Sequence, residues 1–199
     1  MLCKKLCFLV LLFIVGDVFS QNNVDVVDVT KLSIIAPAIG YEKRIGHLQT
    51  VEAEVFMSSA WGIGYSSSLG NTSFFYASPA VGLQYRYYYN AIRREEKGKR
   101  TAKNSMNYIA PLYSMEYSAW GISDKYPSEY KRRPVHTLVL AWGMQRNYAK
   151  RFSLDCNGGL GIMVANSSIL DQNYQVVDKR IASVFAYNIE IRFGLWLGR

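Results

Sequence analysis

Apolar and polar residues alternate with a period of two over most of the chain, and almost no stretch shows the spacing of an amphipathic helix. From Ala77 to Tyr89 the odd positions are Ala77, Pro79, Val81, Leu83, Tyr85, Tyr87 and Tyr89, while the even ones include Gly82, Gln84 and Arg86. Near the C-terminus Phe185, Tyr187, Ile189, Ile191, Phe193, Leu195 and Leu197 alternate with Ala186, Asn188, Glu190, Arg192 and Gly194. Val51, Ala53, Val55 and Met57 alternate with Glu52, Glu54 and Phe56, and Leu138, Leu140, Trp142 and Met144 with Val139, Ala141, Gly143 and Gln145. Phe152, Leu154 and Cys156 stand against Ser153, Asp155 and Asn157, and Ile109 to Tyr117 against Ala110 to Glu116. This reading predicts strands over about 31–42, 48–62, 74–90, 105–118, 135–148, 152–165 and 183–197, with Pro37, Pro79 and Pro111 inside three of them.

Amphipathic antiparallel strands fit two architectures. In a soluble sandwich or lipocalin the apolar faces point inward; in an outer-membrane barrel they point out to lipid, and the polar faces line the lumen. Three features favour the second. The strands run to about 10–16 residues, longer than the ~5–6 usual in soluble sheets. Their polar faces are rich in Gly, Ala, Ser and Asn, which suit a crowded interior. Their apolar faces end in aromatics, as an interfacial girdle requires, with Tyr85, Tyr87, Tyr89 and Phe193 as its candidates. Single-chain bacterial barrels have even strand numbers, so a further strand is expected between Val24 and Ile35. The predicted fold is an all-β, antiparallel, up-and-down transmembrane β-barrel of about eight strands. Short turns at 42–47 and 149–151 fall on the periplasmic side and longer links at 64–73, 119–134 and 166–182 outside.

Composition adds an address. The only continuous apolar run, Leu6 to Val15, is too short to span a bilayer as a helix. With Lys4 and Lys5 before it and Val18-Phe19-Ser20 after, it reads as a secretory signal peptide over residues 1–20. Residues 21–30 then form an N-terminal periplasmic segment or the start of the first strand, and 31–199 the barrel. Losing Lys4, Lys5 and Asp17 with the signal takes the net charge from +8 to +7 and leaves Cys156 as the sole cysteine. An intramolecular disulfide and a cysteine metal cluster are therefore excluded. The expected localisation is the bacterial outer membrane.

Four segments carry a resemblance: 37–46 (PAIGYEKRIG), 83–90 (LQYRYYYN), 141–148 (AWGMQRNY) and 151–161 (RFSLDCNGGLG). Together they resemble the small outer-membrane β-barrel proteins of Bacteroidetes-type bacteria. The resemblance implies a tight hairpin after Tyr41-Glu42, a tyrosine-rich strand, glycine-rich lumen faces and insertion by the barrel-insertion machinery. It implies no catalytic motif and no cofactor. The chain departs from the usual insertion signal, since Leu197-Gly198-Arg199 follow the last aromatic.

Candidate chemistry lies on the lumen face. Parity points Glu42, Glu52, Glu54, Arg86, Glu116, Asp155, Glu190 and Arg192 inward, where buried charges must be paired or hydrated. The structural reading is a salt-bridge network that plugs a narrow barrel. The alternative is a cation-preferring channel, because six acids face two arginines, although Arg44 and Arg146 lie near enough to offset part of the excess. The basic link at 91–104, with Arg93, Arg94, Lys97, Lys99, Arg100 and Lys103, is a solvated turn or a contact with phospholipid headgroups. Lys131, Arg132 and Arg133 are placed at the outer rim as lipopolysaccharide contacts. His47 and His136 are the only histidines; Ser183, Glu129 and Asp124 are the possible partners of His136, and no spacing motif joins them, so an enzyme is not expected. No metal or nucleic-acid motif is present. The expected partners are outer-membrane lipids and lipopolysaccharide, with any extracellular or periplasmic protein partner unassigned.

Overall fold

The computed structural model describes residues 24–66, 70–118, 132–170 and 176–197, so the signal-peptide reading lies outside the described residues. Eight strands follow one another: β1 (Val29–Ile35), β2 (Ala38–Gly46), β3 (Gln49–Ser66), β4 (Gly70–Tyr87), β5 (Asn107–Ser118), β6 (Arg133–Asn147), β7 (Phe152–Leu170) and β8 (Val176–Leu197). One short helix, α1 (Ala91–Glu96), lies between β4 and β5. Every strand pairs antiparallel with its chain neighbours, and β1 pairs with β8, so the sheet closes into a ring.

The expected first strand at 31–42 is instead a hairpin of two short strands. Its turn is Ala36-Pro37, with Ala36 at φ 54°, so Pro37 ends a strand and does not interrupt one. The extra strand expected between Val24 and Ile35 is β1. Two of the three long links shrink, because β3 and β4 extend through residues 64–66 and 70–73, and β7 and β8 through 166–170 and 176–182.

The remaining strand prolines sit where a proline, lacking an N–H, does least harm. Pro111 pairs with Leu140 of β6, while the β4–β5 ladder skips Tyr85 and Arg86 opposite Pro111 and Ala110. Pro79 pairs with Met57 one step past the last β4–β5 pair, Ala80–Glu116. Pro134 pairs with Tyr117 one step before the β6–β7 ladder begins at Val135–Ala165. Each proline thus has one ladder and faces a gap on its other side.

Two ends of the ring differ. The turn end gathers residues 24–28, the His47-Leu48 turn, α1 and the turn after Tyr148; at the far end lie Ser66 and Gly70, Ser118 and Arg133, and Leu170 and Val176, the other ends of β3 to β8. Because β1 and β2 are short, the ring is complete only near the turn end. Among the described residues, β3 beyond Met57 pairs only with β4, and β8 before Phe193 only with β7.

The polarity is that of a soluble protein turned inside out. Ile181, Phe185, Tyr187 and Ile189 on the outer face of β8 are each at least 70 % exposed. Glu42, Glu52, Arg86 and Gln145 on inner faces are at most 2 % exposed. The apolar core that exists is small and lies across the turn end, where Val24 and Val26 pack with Leu48, Tyr88, Ala91, Met106, Tyr108 and Ala110. Residues 24–28 are fixed there by side chains. Asn104 donates to the Val27 carbonyl and accepts from the Val27 N–H, both at 2.8 Å, so its amide acts as a strand partner. Asp25 accepts from the Leu48 N–H and pairs with Arg44.

Candidate functional site

All eight charged residues expected inside the ring lie there, and alternation along each strand is the reason. They form a deep cluster and a shallower one. In the deep cluster, near the turn end, Glu42 and Glu52 stand directly opposite each other on β2 and β3. Two carboxylates so placed repel. Lys31 of β1 enters between them, with Nζ 2.7 Å from Glu52, 3.4 Å from Asp155 and 3.5 Å from Glu42. Arg86 of β4 pairs with Glu52 and lies 2.9 Å from Asp155.

Neutral groups complete the cluster. The Gln145 amide oxygen accepts from Arg86 at 2.5 Å and from Lys31 at 3.0 Å, while its nitrogen donates to Glu42 at 3.1 Å. Glu42 also accepts from Thr50, Tyr88 and Asn104, and Asp155 accepts from the Tyr108 hydroxyl at 2.7 Å. The guanidinium of Arg86 lies over the Tyr108 ring, 4.3 Å from its centroid. Room for the ring comes from Gly143, where a Cβ would collide with Tyr108.

The shallower cluster sits toward the far end. Arg192 of β8 pairs with both Glu54 and Glu190, and lies 5.2 Å over the Phe56 ring. Glu190 accepts from Asn157, which accepts in turn from Asn188. Glu116 stands apart and half-buried, accepting from Ser58 at 2.8 Å. A narrow hollow lies between the clusters, lined by Lys31, Glu52, Glu54, Asp155 and Arg192. Glycine again makes room, since a Cβ on Gly82 would collide with the Glu54 side chain.

Sequence reasoning missed Lys31, Gln145, Tyr88, Tyr108 and Asn104. For Lys31 the signal is its parity with Val29 and Ser33, which a single strand over 31–42 hides. Gln145 and Tyr88 were on the correct faces by parity but carried no charge to mark them. Arg44 and Arg146 do not reach into the clusters. Arg44 pairs with Asp25 at the turn end, and Arg146 donates to Asn107 and to the Gln145 carbonyl.

On the outer face, Tyr87 and Tyr89 are exposed and Tyr85 and Phe193 partly so. Trp142 donates to the Tyr89 hydroxyl at 2.7 Å, and Tyr148, Phe152 and Phe193 form a row with centroids 5.6 and 6.1 Å apart. The expected basic rim is corrected in part. Arg132 is exposed, but Arg133 opens β6 with its side chain buried, because parity turns it to the interior; Lys131 lies outside the described residues. His136 is on the outer face with its Nδ1 2.8 Å from the Tyr113 hydroxyl. Ser183 is separated from it by Val164 of β7, and Asp124 and Glu129 lie outside the described residues.

Near the turn end, Asp28 accepts from the Arg44 N–H at 2.8 Å and from the Tyr41 hydroxyl at 2.9 Å. These bonds, the backbone one foremost, hold its carboxyl below the usual carboxylate range. No protein-family model, curated protein or solved structure matches the chain.

Proposed function

We propose that this chain is an outer-membrane β-barrel of the small Bacteroidetes-type kind, with a structural or surface-interaction role and a lumen closed by its own charge network. The observation that carries the reading is the inverted polarity of a closed antiparallel ring. Branched and aromatic side chains stand exposed around its outside, while carboxylates, guanidiniums and an ammonium are buried within. In water such an exterior is an unusually large apolar patch; in a bilayer it is the surface required. The aromatic row near the turn end supplies one interfacial belt. Lipids of the two leaflets are the partners this implies, with Arg132 exposed toward the outer one.

Two features favour a closed lumen over a cation path. The deep cluster fills the interior with mutually bonded side chains, and the apolar core spans the turn end beneath it. Conduction would require both to move. Ile189 faces outward in mid-β8 and is 80 % exposed, so Ile189→Arg should cost about 2–4 kcal/mol of membrane insertion. Ile189→Leu should insert normally, as read by heat-modifiable folding in lipid vesicles; equal insertion of the two variants refutes the membrane reading. Planar-bilayer recording of the wild-type barrel should give no steady steps, and cation-selective steps would replace the closed lumen with the channel alternative.

A further inference from the structure

A second feature, outside the lumen, has the form of a ligand site. At the turn end a cavity of about 350 Å³ opens between α1 and the ends of β5 and β6. Among the described residues, five cations line it, Arg93, Arg94, Lys97, Lys99 and Arg146, and no carboxylate does. Glu95 and Glu96 of α1 are exposed and do not line it.

Two of the three guanidiniums, those of Arg94 and Arg146, are held by neutral acceptors. Arg94 donates to the Arg100 carbonyl at 2.9 Å, and Arg100 is itself anchored on the Asn147 carbonyl at 2.7 Å. Arg146 donates to the Asn107 side chain at 2.7 Å, and the Asn107 N–H donates to the Asn90 side chain at 2.8 Å, tying the wall to the loop after β4. Burial alone pushes the Arg94 guanidinium below its ordinary value. Five like charges around one hollow repel one another, less so where water and salt screen them, and an anion that enters relieves that repulsion.

We propose that this cavity binds a phosphate-bearing anion, a phosphomonoester or phosphodiester, carried either by a lipid headgroup or by a soluble compound. The volume suits a small polar headgroup, and planar guanidiniums match phosphate oxygens in pairs. Tyr89 lines the cavity and accepts from Trp142 on the outer face, beside exposed Tyr87 and Ile109. A phosphate seated here would therefore place an attached acyl chain against an apolar wall. The soluble source needs only the cavity, so the site does not depend on membrane insertion.

The test uses the full chain in zwitterionic micelles and in vesicles. Glycerol 3-phosphate is titrated calorimetrically in micelles, and retention of phosphatidylglycerol is measured in mixed phosphatidylcholine–phosphatidylglycerol vesicles. One variant combines Arg93→Gln, Lys97→Gln and Lys99→Gln, all exposed positions. A control with the same charge loss combines Lys43→Gln, Lys150→Gln and Arg151→Gln, exposed at the same end. Each basic residue near an anionic group is worth roughly a fivefold change in binding, so the cavity variant should lose about 100-fold and the control less than about twofold. Loss confined to the vesicle arm assigns a lipid source, and loss confined to the micelle arm a soluble one. Wild-type protein that binds neither probe, or equal losses in the two variants, overturns the site. The micelle arm reads binding without insertion, so its outcome is separate from the membrane test above.

Discussion

Replacing Lys31 with Met removes one ammonium and keeps nearly the same length of side chain. Lys31 Nζ lies 2.7 to 3.5 Å from three carboxylates that share one other cation, Arg86. At an effective dielectric of about 20, each contact near 3 Å is worth about 5 kcal/mol before desolvation. Taking the ammonium out of water costs free energy that offsets much of that attraction, so the net loss on deletion is smaller, about 3–5 kcal/mol. Repulsion between Glu42 and Glu52, directly opposite each other, is then screened by Arg86 alone. Total stabilities are commonly about 5–15 kcal/mol, so a loss of this size is readily measured. Urea unfolding in lipid vesicles, followed by tryptophan fluorescence, reads it. The variant Lys31→Met with Glu52→Gln should recover at least about half of the deficit, since one unpaired carboxylate is neutralised. A loss under about 1 kcal/mol for Lys31→Met, or no recovery in the double variant, would refute the view that Lys31 organises the cluster.

Gly143→Ala forces a Cβ into the Tyr108 ring and strains its bond to Asp155; it should lower stability by about 1–3 kcal/mol, seen as an earlier urea midpoint with unchanged slope. The Asp28 carboxyl has a folded pKa below its unfolded one. Its contribution is therefore present above about pH 4 and lost as pH falls through the lower folded value. Asp28→Asn should flatten that acid-side loss, as a comparison of thermal unfolding at neutral and acidic pH would reveal, and an identical pH profile for the two proteins would refute the assignment.

How far the sequence could be read depended on where the determining contacts lay. Strand faces need only two-residue alternation, so alternation alone points Glu52, Glu54, Arg86, Asp155, Glu190 and Arg192 inward without any partner in view, and they lie inward. Even there, parity gave a direction and no partner. Arg192 meets Glu54 across 138 positions of the chain and Lys31 meets Asp155 across 124, separations at which local patterning carries no signal. The hairpin at Ala36-Pro37 was invisible because its turn residue with positive φ is an alanine and not a glycine or asparagine. One missed turn hid both β1 and its lysine.

The alternation of side chains therefore determined an all-β chain, its strand faces and an interior rich in charge, because a period of two is written in the local backbone. Ring closure decided the rest. Only the pairing of β1 with β8 brings Lys31, which the β1–β2–β3 ladders set near Glu52, beside Asp155 as well, and only the return of residues 24–28 across the turn end places Val24 and Val26 on Leu48 and Tyr88. Both contacts join elements distant in sequence, and their partners are fixed by the register of the closed sheet.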